Sequence, residues 1–168
     1  MFSPITTFIF DVDGVLTDGT VLVLDHGVQA RRMSIKDGFA LQMAVKNGYR
    51  VQVISGGDSP QVKERLAKLG VTAVSMAVLD KRAFVSELMS SGKIEKSQVL
   101  YMGDDLPDLP VMDIVGLPCC PADAVPEIKA AVRYISPVAG GFGCVRDVIE
   151  KVMRPNDQWH YRPDVASR

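Results

Sequence analysis

Neither an excess of charge nor a long apolar run marks this chain of 168 residues. Its 19 lysines and arginines nearly cancel its 20 aspartates and glutamates. That balance argues against a nucleic-acid partner held through phosphate contacts. No apolar stretch approaches the ~18 residues that a membrane-spanning helix needs, so no membrane partner is expected. The first basic residue is Arg31, which leaves no positive segment ahead of an apolar leader. A cytoplasmic location is the expectation. Cysteine is scarce: Cys119, Cys120 and Cys144 are odd in number and show no C-x-x-C spacing. They exclude a disulfide framework and a standard zinc site, and they suit a reducing compartment. His26 and His160 have no metal-ligand partner at useful spacing. There is no internal repeat and no low-complexity stretch.

What is present is alternation. The apolar runs Thr7–Phe10, Val51–Ile54, Val74–Met76, Val99–Met102 and Leu117–Cys120 predict buried strands. Between and after them, Leu41, Ala44 and Val45, then Val62, Leu66 and Leu69, and finally Val145, Val148, Ile149 and Val152 form stripes at helical spacing. Ser59 followed by Pro60 reads as an N-cap and first-turn pair. Strands alternating with helices imply an α/β fold, a doubly wound parallel sheet covered on both faces. Residues 20–34 read as a small β-hairpin flap, with Asp25-His26-Gly27 at its turn. The expected organisation is one domain over residues 1–154. A tail over residues 155–168 is either disordered or docked by Trp159 and Tyr161.

Parallel sheets bind ligands beyond the carboxyl ends of their strands. The residues there are Asp11 and Asp13, then Ser55-Gly56-Gly57, then Asp80-Lys81, then Asp104, Asp105 and Asp108. Five convergent carboxylates repel one another, by about 4 kcal/mol per close pair at an effective dielectric of 20, and so require a cation. All-oxygen donors favour a hard ion, magnesium before calcium. A calcium loop starting at Asp11 fails, because Val15, Leu16 and Leu22 stand at its required positions. Lys81, the Ser55 hydroxyl and the backbone at Gly56 suit a phosphate. No P-loop occurs, and Gly140–Gly143 reads as a loop before the last helix. A carboxylate directly after the central strand then points to nucleophilic phosphoryl transfer. Asp11 would attack phosphorus, and Asp13 would exchange protons with the leaving group and the hydrolytic water.

The segment from Asp11 to Gly19, with Ser55, Lys81 and Gly103-Asp104-Asp105-x-x-Asp108, resembles the four motifs of the haloacid dehalogenase (HAD) superfamily phosphatases, in order and at strand ends. The resemblance implies a Rossmann-like core with Mg2+ as cofactor. Asp11 would be nucleophile and ligand, Asp13 acid/base and a ligand through its main-chain carbonyl, and Asp104 the third ligand. Asp105 and Asp108 would support these from behind. The short connection between the first two motifs implies no cap domain. Ser34-Ile35-Lys36-Asp37-Gly38, the run from Gly103 to Met112 and the run from Val115 to Ala124 are similar to the family of 3-deoxy-D-manno-octulosonate (Kdo) 8-phosphate phosphatases of lipopolysaccharide biosynthesis. This similarity runs from about Ile9 to Val152. It implies that Ser34, Ile35, Lys36, Asp37, Gly38, Gln42 and Arg65 bind a sugar phosphate. It also implies a homotetramer in which neighbouring subunits complete each site. Gly57, Gln42 and Phe142 stand where many members carry arginine, which leaves a related keto-sugar-acid phosphate such as Kdn 9-phosphate open as substrate. A non-enzymatic phosphoacceptor signalling domain is the reading from another class. It would place its acceptor after the third strand, where no acid directly ends Val74–Met76.

Overall fold

The structure is a computed structural model that describes residues 1–166; Ser167 and Arg168, the end of the expected tail, lie outside the described residues. In chain order the elements begin with strand β1 (Thr7–Phe10), the flap strands β2 (Leu22–Val23) and β3 (Gln29–Ala30), helix α1 (Ile35–Lys46) and strand β4 (Arg50–Ile54). Helix α2 (Pro60–Lys68), strand β5 (Ala73–Ser75), helix α3 (Lys81–Gly92) and strand β6 (Val99–Met102) follow. The chain closes with α4 (Leu109–Met112), β7 (Leu117–Cys120), α5 (Pro126–Ala131), β8 (Tyr134–Ile135) and α6 (Cys144–Met153). Six strands form one parallel sheet in the order β5-β4-β1-β6-β7-β8. Strand order reverses beside β1, so the crevice at its carboxyl end is where a ligand belongs.

Side-chain alternation on β1 divides the core. Phe8 and Phe10 join the apolar layer under α1, α2 and α6, whereas Ile9 joins the layer under α3, α4 and α5. Both faces of the strand are dry, which is why its sequence reads as a continuous apolar run. The helices start where side chains satisfy their first N–H groups: Ser34 accepts from Asp37 N, Ser59 from Val62 N ahead of Pro60, and Asp80 from Ala83 N.

The expected doubly wound sheet is present, with no cap domain. The third strand starts one residue earlier than its apolar run suggests. The second flap strand ends at Ala30 rather than at Ser34, because Ser34 must turn to cap α1, and only an isolated bridge between Thr17 and Met33 continues the pairing. Strand β8 and helices α3, α4 and α5 were not marked by periodicity; β8 is two residues long and α4 is four. The tail docks through Trp159, edge-on to Phe39 at 6.1 Å and under the Arg146 guanidinium at 5.5 Å, and through buried Val165. Tyr161 is exposed. Among the described residues no helix is long and apolar enough to cross a membrane.

Leu41 of α1 is fully buried, whereas Leu79 is 97% exposed. Urea denaturation should show Leu41→Ala losing about 2–5 kcal/mol, because the cavity adds to the lost transfer energy. Leu79→Ala should stay within about 0.5 kcal/mol of the parent.

Candidate active site

The chain leaves β1 through a tight turn. Asp11 is extended, Asp13 has φ −75° and ψ 123°, and Gly14 takes φ +83°. The buried Thr17 hydroxyl oxygen accepts from the N–H groups of Gly14 and Gly19, closing the loop on itself. Gly14 is required twice over. Its backbone is left-handed, and a Cβ there would lie 2.0 Å from Asp104 Oδ2. At the end of β6, a Cβ on Gly103 would lie 2.3 Å from Asp108 Cγ. Both glycines exist so that carboxylates can press against main chain.

Asp108 is the hub of the cluster. Its Oδ1 accepts from Lys81 Nζ at 2.6 Å and from Tyr101 OH at 2.5 Å, and its Oδ2 accepts from the N–H groups of Asp104 and Asp105. Lys81 Nζ also lies 3.0 Å from Asp11 Oδ1. Burial works against the charge on Lys81, but the Asp11 and Asp108 carboxylates outweigh it and hold its pKa above the ordinary lysine value. Burial, then the negative charge of Asp108, pushes Asp11 up to about 7 despite Lys81. Burial, then Asp11, Asp108 and Asp105, raises Asp104 to about 7.

Carboxylate oxygens of Asp11, Asp104 and Asp108 lie within 4.8 Å of one another. Asp108 is the least fit of these to ligate, because its four donors already occupy both oxygens. Asp104 is the reverse case: its Oδ1 is buried and has no hydrogen-bond partner. An orphaned buried carboxylate oxygen beside a second raised carboxylate is costly unless a cation completes it. The donor set is all oxygen, so the residues fit a hard divalent ion such as Mg2+.

A cavity of about 440 Å³ holds Asp11, Asp13, Ser55, Gly56, Lys81, Asp104, Asp105 and Asp108 on its wall. All the strand-end residues singled out for catalysis, metal and phosphate therefore meet in one place. Ser55 Oγ accepts from Gly57 N at 3.0 Å, so its own O–H is left to donate. Asp105 caps the turn Leu106–Asp108 with its side chain. A larger cavity of about 730 Å³ lies at the opposite edge of the sheet, near Lys96 and Arg133, and brings no carboxylate cluster together.

The residues carried over for substrate binding are dispersed. Ile35 and Arg65 line a neighbouring cavity of about 500 Å³. Gly38 is packed beneath Arg65, and Lys36 is exposed. Ser34 caps α1. Asp37 is buried, and its Oδ1 accepts from Arg146 N at 2.7 Å, so it caps α6 from across the helix pair. Burial raises its pKa to about 6, partly offset by the backbone N–H groups of Arg146 and Gly143. Gln42 Nε2 donates to Gly38 O and to Ala166 O in the tail, so its amide is committed within the fold. Two site residues escaped the sequence reading. Tyr101 looks like an ordinary strand residue, and nothing in its spacing announces a hydrogen bond to Asp108. Arg31, on the flap, reaches Asp13 with Nε 2.6 Å from Oδ1. Two adjacent arginines, Arg31 and Arg32, in the hairpin were the available signal.

The raised pKa values make ionised Asp11 and Asp104 the costly forms when no metal is bound. Their contribution to stability is full below about pH 4 and is lost as pH rises through about 7. Metal-free protein should therefore melt lower at pH 8 than at pH 6, and Mg2+ should recover the difference. Metal-free Asp104→Asn should melt above the parent at pH 8 and gain little from Mg2+. Differential scanning fluorimetry decides both.

Known proteins resemble this chain in sequence and in fold. A family model for haloacid dehalogenase-like hydrolases matches residues 73–140. The 3-deoxy-D-manno-octulosonate 8-phosphate phosphatase KdsC of Escherichia coli strain K12 is 35% identical over 149 residues, covering 89% of this chain and 79% of that protein. The crystal structure of the phosphatase of the same name from Yersinia pestis superposes with a TM-score of 0.89 at 31% identity, over 93% of this chain and 84% of that one. The Moraxella catarrhalis phosphatase, solved with magnesium, phosphate and Kdo, has a TM-score of 0.87 at 31% identity, over 90% of this chain and 87% of that one. This chain belongs to the haloacid dehalogenase-like hydrolases and, within them, to the Kdo 8-phosphate phosphatase family.

Proposed function

We propose that this chain is a magnesium-dependent phosphomonoesterase that hydrolyses Kdo 8-phosphate to Kdo and phosphate in lipopolysaccharide biosynthesis. The observation that carries the reading is the pairing of buried Asp11 with Lys81 at 3.0 Å, facing the orphaned oxygen of Asp104, at the switch point of the sheet. The relatives' names and the magnesium, phosphate and Kdo bound to the Moraxella protein supply the substrate. The neighbouring cavity, with Arg65 on its wall, offers a cation for a sugar acid's carboxylate.

In this mechanism Lys81 and the Ser55 hydroxyl hold phosphoryl oxygens, with Gly56 at the loop. An Asp11 carboxylate oxygen forms a bond to phosphorus as the bond from phosphorus to the sugar oxygen breaks, leaving an aspartyl phosphate. Asp13 gives its proton to the departing sugar alkoxide. It then takes a proton from the water that attacks phosphorus, which restores Asp11 and releases phosphate. Asp11, Asp104 and the main-chain carbonyl of Asp13 would hold magnesium, which when bound neutralises the carboxylates and the phosphoryl charge. Asp108 anchors Lys81, and Asp105 shapes the loop that presents Asp104.

Asp11→Asn should reduce magnesium-dependent phosphate release to background while leaving the melting temperature within a few degrees; retained turnover would rule out covalent catalysis by Asp11. Kdn 9-phosphate is the second reading. Gly57 and the committed amide of Gln42 stand where many members carry cations, which relaxes the demand for one particular sugar acid. Comparing kcat/KM for the two esters separates them.

The assembly we infer is a homotetramer whose neighbouring subunits complete each site. Leu22, Val23 and Val28 on the flap are 64%, 70% and 49% exposed, an apolar surface that a neighbouring copy would cover. The three cysteines are free and buried, which agrees with a reducing cytoplasm. Val23→Asp should convert the assembly to monomers in sedimentation velocity; a parent protein that is already monomeric overturns this model.

A further inference from the structure

The flap does more than expose apolar surface. Its Arg31 side chain is only 9% exposed and lies on the Asp13 carboxylate, with Nε 2.6 Å from Oδ1 and Nη2 3.4 Å from Oδ2. Among the described residues no other donor bonds that carboxylate. Asp13 sits on a turn beside a glycine and is 40% exposed, so without this fork its side chain would be free to choose among rotamers. The short Nε bond fixes Oδ1 and the plane of the carboxyl group, and the longer Nη2 contact leaves Oδ2 as the oxygen that carries the proton.

The arginine is itself held. The bridge between Thr17 and Met33 pins the base of the flap to the nucleophile loop. On the other side Arg32 pairs with Asp18 at 2.7 Å and lies over the Phe142 ring at 5.5 Å. The polar ends of Asp13, Ser55 and Arg31 converge on the space above Gly57, at 3.6, 3.6 and 3.8 Å from where its Cβ would stand. A side chain at position 57 would fill this niche.

We propose that Arg31 is a positioning residue for catalysis: the flap carries the guanidinium that aims the proton-transfer carboxylate of Asp13 into the cavity. The proposal rests on the phosphatase reading and assigns the flap a part in its first chemical step. It does not make Arg31 a contact for the substrate.

The test uses two esters that differ in their need for a proton. A sugar alkoxide must be protonated as it leaves, whereas p-nitrophenolate departs as a stable anion. The quantity read is kcat/KM, which reports steps up to the first loss of product. Arg31→Met should lower kcat/KM for Kdo 8-phosphate about 10²-fold, in the range of a general-acid contribution, and leave that for p-nitrophenyl phosphate within about threefold. Arg31→Lys should fall between parent and Arg31→Met. Asp13→Asn should give the same split, and adding Arg31→Met to it should cost no further activity, because residues acting as one unit are not additive. In an Asp11→Asn background, Arg31→Met should leave the calorimetric affinity for Kdo 8-phosphate with Mg2+ unchanged. Equal losses on both esters, multiplicative losses in the double variant, or weakened binding would overturn the proposal. If Arg31→Met does not melt cooperatively, the split measured on Arg31→Lys decides. A parent protein that releases phosphate from neither ester would instead sink the phosphatase reading.

Discussion

Three carboxylates and one ammonium, packed where water is nearly excluded, are the constraint around which this molecule is arranged. Asp11, Asp104 and Asp108 place oxygens within 4.8 Å of one another, with Lys81 as their cation. Such a group holds together only if its members are fixed by covalent neighbours and hydrogen bonds, because its own electrostatics push it apart. The sheet supplies that fixity. Asp11 follows β1 and Asp104 follows β6, and the two strands are paired in register from Thr7 with Val99 to Phe10 with Met102. The acids are therefore adjacent before any metal arrives, and the work of bringing them together is done by backbone hydrogen bonds and a dry core.

The division of labour within the cluster follows from which oxygens are already used. Asp108 spends both oxygens on four donors and so acts as a rigid strut between Lys81, Tyr101 and the main chain of the Asp104 loop. Asp104 keeps a bare oxygen, and Asp11 keeps one side free of Lys81. A residue's chemistry here is decided less by its type than by what remains of its hydrogen-bonding capacity after folding. Gln42 and Asp37 differ from the reacting groups in where they are tied: the Gln42 amide donates to the tail and Asp37 Oδ1 accepts from the start of α6, while Asp37 Oδ2, like Asp104 Oδ1, has no partner.

The flap has two sides of different chemistry. Its outer residues are apolar and exposed, whereas its inner edge ends on Asp13 and Asp18 through Arg31 and Arg32. A two-stranded ribbon has little stability of its own. Its position therefore depends on those arginines. Any neighbour that orders the ribbon also orders the carboxylate at its base.

Much of this was legible in the chain itself. The alternation of apolar runs and helical stripes determined a doubly wound sheet, because a strand dry on both faces must be apolar throughout and a helix on a sheet must be apolar on one side. The residues after each run determined the acidic cavity, because parallel strands deliver their carboxyl ends to a single edge. Short elements such as β8 and α4 were invisible, since two to four residues carry no period. Only the tertiary structure decided which carboxylate is saturated, that Tyr101 supports Asp108, that Asp37 and Gln42 are bound within the scaffold, and that Arg31 reaches Asp13. Each of these is a contact between residues distant in the chain, whose partners depend on side-chain direction and leftover bonding capacity; sequence spacing encodes neither.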